Sequence, residues 1–166
     1  MISAAIQRVI EDKSGSFLIP ASKIAFVEED NPLYHAFLIL TKVKYAKIPV
    51  LNQEGQITGL LSLAMITDKM LELDGISTKP LNHYKVKDVM QTDFVSVNFT
   101  EKDLETQLHL LVDHNFLPVV DDRGVFQGMI TRREWFKAFN YLAHTFDDRY
   151  VTIDKKQPLR LQAGGK

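Results

Sequence analysis

The sixteen residues from Lys47 to Ser62 recur without a gap from Phe116 to Thr131. Pro49 and Pro118, Gly55 and Gly124, Gly59 and Gly128, and Ser62 and Thr131 all align at one offset of 69 residues. The apolar positions agree as well: Ile48 with Leu117, Val50 with Val119, Leu61 with Ile130. Self-similarity at a fixed spacing means two copies of one supersecondary unit, so repetition constrains the fold before any single residue is weighed.

Each copy has the same physical pattern. An apolar run (Ile48 to Leu51, Leu117 to Val120) meets a polar turn carrying Gly55 or Gly124, and a second apolar run follows to Ser62 or Thr131. That is a hairpin. Gly59 and Gly128 interrupt the second strands, which predicts a bulge or a close backbone approach there. Ahead of the first hairpin, Leu33, Ala36, Phe37 and Leu40 mark one face of a helix, with Asn31 as its expected N-cap and Pro32 at its first position. Ahead of the second, Leu104, Leu108 and Leu111 do the same, with Thr100 and Asp103 as the expected cap pair. Helices are expected again over 64–73 and 134–142. The order in each copy is strand, helix, strand, strand, helix.

The expected division is an N-terminal helix over 1–16, a first repeat over 17–73, a connector over 74–85, a second repeat over 86–142 and an extension over 143–166. Ile2, Ala5, Ile6, Val9 and Ile10 form the apolar stripe of the first helix. Gly75 and Pro80 punctuate the connector. The last ten or so residues, ending in Ala163, Gly164, Gly165 and Lys166, are expected to be disordered.

Composition narrows the function classes. A net charge of −1 provides no global basic field for nucleic acid or an anionic membrane, so any anion recognition is local. The absence of cysteine removes disulfides, thiolate nucleophiles and Cys-based zinc sites. No apolar run reaches the length of a membrane span, and no leader pattern opens the chain, so a cytoplasmic location is expected. The histidines are scattered; His109 and His114, five apart, do not share a helix face. No nucleophilic triad has a motif around it and no phosphate-cradling glycine loop is present, so the chain is not expected to be an enzyme. Trp135, Phe136 and Phe139 lie at helical spacing, as core or dimer-interface packing requires.

The repeats resemble CBS domains. The resemblance rests on the core from Leu117 through Gly124 and Gly128 to Thr131, and on Val86 to Met90, similar to the family's lead-in to its first strand. It covers about residues 17 to 142. It implies an α/β (α+β) fold in which two β-α-β-β-α repeats, with the N-terminal helix added, pack through their sheets as a pseudo-twofold module. Between the repeats lie two clefts that take adenosine-containing ligands. The segments Met1–Ser3, Lys23–Ala25, Leu40–Val50 and Gly128–Arg133 are similar to those of small stand-alone CBS proteins of Gram-positive bacteria that bind cyclic di-AMP.

The resemblance also implies where contacts fall. In the family, Gly-apolar-apolar-Ser/Thr-x-x-Asp places a hydroxyl on phosphate and an acid on the ribose diol. The second repeat reads Gly128, Met129, Ile130, Thr131, Arg132, Arg133, Glu134, so Thr131, Arg132 and Arg133 would meet phosphate and Glu134 the sugar. Two cations at a helix N-terminus oppose the macrodipole, a local cost that points to function. The facing wall would be Lys23, Ile24 and Ala25 with Tyr45, Ala46, Lys47 and Ile48. The small alanines leave room for a purine, Tyr45 offers a stacking surface or lid, and Lys23 would balance a second phosphate. The other cleft has Met65 where the acid should stand and Asn115, Phe116 and Leu117 opposite, so it is expected to stay empty or bind weakly. Arginines with a longer acid suit cyclic di-AMP, which lacks a free 3′-hydroxyl; AMP, ADP or ATP is the alternative ligand, and a ligand-free interaction scaffold the third reading. The resemblance implies a homodimer and a protein effector such as a (p)ppGpp synthetase or a metabolic enzyme, with no nucleic acid or membrane partner.

Overall fold

The computed structural model describes residues 2–14, 17–98 and 104–153. The chain divides into two compact units, one formed by residues 1–15 and 136–166 and the other by residues 16–135. In the larger unit the elements run β1 (Leu18–Pro20), β2 (Val27–Glu28), α2 (Leu33–Leu40), β3 (Ile48–Leu51), β4 (Ile57–Leu61), α3 (Leu63–Asp68), β5 (Leu71–Glu72), β6 (Gly75–Ile76), β7 (Val97–Asn98), α4 (Leu104–Asp113), β8 (Phe116–Val120) and β9 (Phe126–Thr131). Helix α1 (Ala4–Ser14) belongs to the smaller unit, and α5 (Arg132–Arg149) starts in the larger and continues into the smaller. Val9 and Ile10 of α1 are fully buried, and within the smaller unit Arg149 donates to Asp12 at 2.7 Å. Among the described residues, no helix is long and apolar enough to cross a membrane.

Both repeats form the expected strand-helix-strand-strand-helix unit, and both hairpins are built alike. β3 pairs antiparallel with β4, and β8 with β9. Each hairpin has a register shift at the equivalent place, between Val50 and Leu51 and between Val119 and Val120, the bulge expected at Gly59 and Gly128. The turns are closed by one side chain each. Asn52 accepts the backbone N–H groups of Glu54 (3.1 Å) and Gln56 (2.9 Å), and Asp121 those of Arg123 and Val125 (both 2.9 Å). Gly55 and Gly124, at φ 75° and 79°, take the left-handed step that lets the chain reverse.

The two repeats are joined by exchange of their leading segments. β1 precedes the first repeat yet pairs with β9 of the second, Ile19 opposite Met129, in a four-stranded sheet ordered β1-β9-β8-β7. Reciprocally, Gln91 ahead of the second repeat exchanges two 2.9 Å backbone bonds with Leu60 of β4. The glycines explain how close this approach is. A Cβ on Gly128 would stand 2.1 Å from the Ile19 carbonyl oxygen, and one on Gly59 2.6 Å from Met90 Sδ. The hairpin turns also meet, through Phe126 N–H to the Gly55 carbonyl (2.9 Å) and Ile57 N–H to the Gly124 carbonyl (3.2 Å).

Burial follows the period-2 and period-3.6 patterns. Ile48, Val50 and Leu61 of the first sheet lie under Leu33, Ala36 and Leu40 of α2 and Ile66 of α3, nearly all at zero exposure. Each such Val, Leu or Ile side chain contributes about 1.5–3 kcal/mol on burial. A smaller cluster of Ile24, Leu51, Phe126 and Met129 draws residues from both repeats.

Some local expectations are corrected. Asn31 does not cap α2: its Oδ1 accepts the N–H of Glu28 at 3.1 Å and closes a turn, and Pro32 stands at the cap without a side-chain bond. α3 stops at Asp68 rather than 73, because the chain turns into the β5–β6 hairpin, which uses the start of the expected connector. α5 continues to Arg149, past 142. The expected caps Thr100 and Asp103, and the C-terminal residues expected to be disordered, lie outside the described residues.

Candidate functional site

Among the described residues, two of the cavities in the larger unit lie against the exchanged segments. The first, about 170 Å³, is walled by Ile19 of β1, Ile24, Met129 and Thr131, and by Tyr45 to Lys47 facing Asn115 and Phe116. The second, about 450 Å³, is walled by Leu60, Gln91, Asp93 to Val95, Asp113 to Phe116 and Pro118, again with Ala46 and Lys47. The 69-residue offset carries Ala46 and Lys47 onto Asn115 and Phe116, and Leu60 onto Met129. The cavities are therefore counterparts under the pseudo-twofold, and the two equivalent dipeptides form a wall common to both.

Their chemistry differs because the copies have diverged. Thr131 closes β9 and caps α5, its Oγ1 accepting the Glu134 N–H at 3.3 Å. A hydroxyl holds two lone pairs and one proton, so this cap leaves the proton available to a ligand oxygen. α5 is 18 residues long, and the positive end of its dipole stands beside the cavity. The counterpart Ser62 accepts the Met65 N–H at 3.2 Å, but it is buried and opens a helix of only six residues. The second cavity carries Asp93 and Asp113 in its wall, whereas the first has no carboxylate among its lining residues. Two carboxylates oppose a phosphate by simple Coulomb repulsion.

The expected contacts fall into two groups. Ile24, Tyr45, Ala46, Lys47 and Thr131 converge on the first cavity. Tyr45 is 54% exposed at its rim, open to a stacking partner. Ile48 is fully buried in β3 opposite Leu61 and acts in the core, not at the cavity surface. Lys23 ends a short 3-10 turn, exposed, and Ala25 is half-buried beyond it; neither lines the cavity. Arg133 is exposed in the first turn of α5, and Glu134 is half-buried behind Thr131.

Arg132 faces elsewhere. Its Nε donates to the Leu111 carbonyl at 2.8 Å and an Nη to the Val112 carbonyl at 3.0 Å, capping the last turn of α4. Its backbone N–H donates to the Asn115 carbonyl at 2.9 Å. A cation that opposes the dipole of its own helix is thus placed where the dipole of α4 favours it. Lys47 is likewise engaged, donating to Oε1 of Gln91 at 2.5 Å. Sequence reading missed Ile19, Asn115, Phe116 and Met129 as lining of the first cavity. The 69-residue offset is the signal that could have found Asn115 and Phe116, since equivalent residues around a twofold share one wall.

A duplicated, strand-exchanged module with paired clefts, one of them apolar and closed by a helix N-terminus, defines a ligand-binding module of two repeats. The CBS domain family model matches residues 15–72 and 86–141, and the chain belongs to that family. It is 34% identical over 140 residues, 84% of this chain and 95% of the other, to a Bacillus subtilis protein named cyclic di-AMP receptor B. Among solved structures it is similar to the CbpB protein of Listeria monocytogenes in complex with c-di-AMP, at 44% identity, 81% and 97% coverage and a TM-score of 0.71. CbpB from Streptococcus agalactiae aligns at 26% identity over 93% of this chain and 96% of that one, with a TM-score of 0.80.

Proposed function

We propose that this chain is a cyclic di-AMP receptor that binds its ligand in the first cavity and acts on partner proteins without catalysing a reaction. One observation carries the reading: the first cavity brings the open face of Ala46 and the ring of Tyr45 to the same space as Thr131 at the N-terminus of α5. A purine fits against the small residue and the aromatic face, and a phosphodiester at the hydroxyl and the helix end. The naming of the Bacillus subtilis relative and the ligand in the Listeria monocytogenes structure support the same choice. Arg133, Lys23 and, if its hold on α4 is released, Arg132 are the cations that complete charge balance; Ala25 and Glu134 are the flanking contacts. The second cavity, with its carboxylates, stays unfilled by this anion. The receptor works in the cytoplasm as a homodimer, and its ligand state alters affinity for an effector such as a (p)ppGpp synthetase or a metabolic enzyme.

Calorimetric titration with cyclic di-AMP, AMP and ATP tests this. Cyclic di-AMP is expected to bind most tightly, at a single site per chain, and Ala46→Phe is expected to abolish binding. Ala46 is exposed, so that variant fills the cavity without disturbing the core. Tighter binding of AMP or ATP would refute the ligand, and undiminished binding by Ala46→Phe would refute the site.

A further inference from the structure

Ala46, Lys47, Asn115 and Phe116 line both cavities, so a group on this wall that serves one cleft is withdrawn from the other. The cation of the wall is Lys47. Its ammonium lies on Oε1 of Gln91 at 2.5 Å in a half-buried contact, and Gln91 lines the second cavity but not the first. The acceptor is itself held in place: Gln91 Nε2 donates to the Asp93 carbonyl, and the Gln91 backbone is doubly bonded to Leu60. The duplicate of this arrangement is apolar. Ile19 stands opposite Met129 as Gln91 stands opposite Leu60, and Phe116 is the counterpart of Lys47. The fold is thus satisfied by an apolar pair at this place, and the polar pair in the second cleft is not a requirement of the exchange.

We propose that Gln91 is a positioning residue: by holding the Lys47 ammonium on the side of the second cleft, it limits the positive charge the first cleft presents to an anionic ligand. The two clefts thereby compete for one lysine. The inference rests on the first cavity being the nucleotide site. Removing the acceptor at 91 frees Lys47 for the first cleft, whereas a carboxylate there holds it harder through a charge-assisted bond. Any ligand of the second cleft that engages the Gln91 carboxamide releases Lys47 in the same way, and such coupling is reciprocal between the sites.

The test is a double-mutant cycle on the full chain, titrated with cyclic di-AMP and with AMP. Gln91→Met, close to glutamine in shape, is expected to tighten binding about threefold to tenfold, the scale of one partly exposed hydrogen bond to a charged group. Gln91→Glu is expected to weaken it; in a Lys47→Met background the gain from Gln91→Met should vanish, and Gln91→Glu should retain only the repulsion of a bare carboxylate. Equal shifts in the two backgrounds, or no shift, would overturn the proposal. A second readout needs no nucleotide: the NMR signal of the Lys47 ε-carbon should move toward that of exposed lysines in Gln91→Met, and an unchanged signal would overturn it as well. A chain that binds neither nucleotide refutes the proposed function instead, and the NMR signal still decides whether Gln91 holds Lys47.

Discussion

Gly128→Ala tests the joint between the repeats. The new Cβ would stand 2.1 Å from the Ile19 carbonyl oxygen and 2.8 Å from Leu18 Cδ1. An unstrained carbon-to-oxygen contact needs about 3.3 Å, so β1 must retreat by about an ångström. That displacement takes the β1–β9 hydrogen bonds beyond their normal length over all three paired residues. Gly128 also sits at φ 151°, a region that costs a side chain about 1–3 kcal/mol. Together with about 1–3 kcal/mol for overpacking, the loss is about 2–6 kcal/mol. A domain of ordinary stability holds about 5–15 kcal/mol in total, so the effect is large. Trp135, the single tryptophan, reports it: its ring stacks on Phe17 beside β1, centroids 4.5 Å apart and 4° from parallel. Urea unfolding followed by tryptophan fluorescence gives the difference, with Gly55→Ala as the control. At Gly55 a Cβ meets only Val125 Cγ1 at 3.7 Å, which leaves the backbone strain of φ 75°, about 1–2 kcal/mol. If Gly128→Ala loses no more stability than Gly55→Ala, the close approach of β1 is not what requires the glycine.

Arg132→Ala is expected to lower the melting temperature, since two bonds from a charged donor to the α4 carbonyls disappear at a cost of about 1–2 kcal/mol; an unchanged melting temperature would return Arg132 to a purely ligand-facing role. Asp121→Asn tests the second hairpin turn. The N–H groups of Val125 and Arg123 and the Arg123 guanidinium hold the Asp121 carboxyl below its ordinary range. A depressed acid stabilises the fold above its unfolded value and loses that contribution as pH falls below about 4 through the folded value. Asparagine, already present at the equivalent Asn52, keeps the bonds without titrating, so the variant should show a flatter loss of stability in acid denaturation.

The degree to which sequence anticipates structure varies with the reach of the interaction. The hairpins were legible because their cause is local: alternating apolar runs, an Asn or Asp that closes a turn, a glycine that supplies the left-handed step. The need for glycine at 59 and 128 was legible too, as a close approach without a partner. Asn31 was misread since the same side chain serves a cap or a turn, and the choice depends on where Glu28 lies. The candidate site divides in the same way. Ala46 and Thr131 were recognisable from size and position after a strand, and both reach the first cavity. Arg132 reads as a phosphate ligand from its place in the motif, but a long side chain selects among partners brought near by the fold, and the carbonyls ending α4 were nearer.

The sequence by itself determined that the chain is a duplication, that each copy is a hairpin flanked by helices, and that the copies differ in charge and size at equivalent positions. The tertiary structure decided what the duplication does. Three residues, Leu18 to Pro20, have no pattern that directs them onto the far repeat; they pair there because β9 offers an open edge and Gly128 removes the atom that would block it. Both cavities lie against the exchanged segments, with Ala46, Lys47, Asn115 and Phe116 as a shared wall. The two clefts, which sequence comparison treats as independent, are joined there through one lysine.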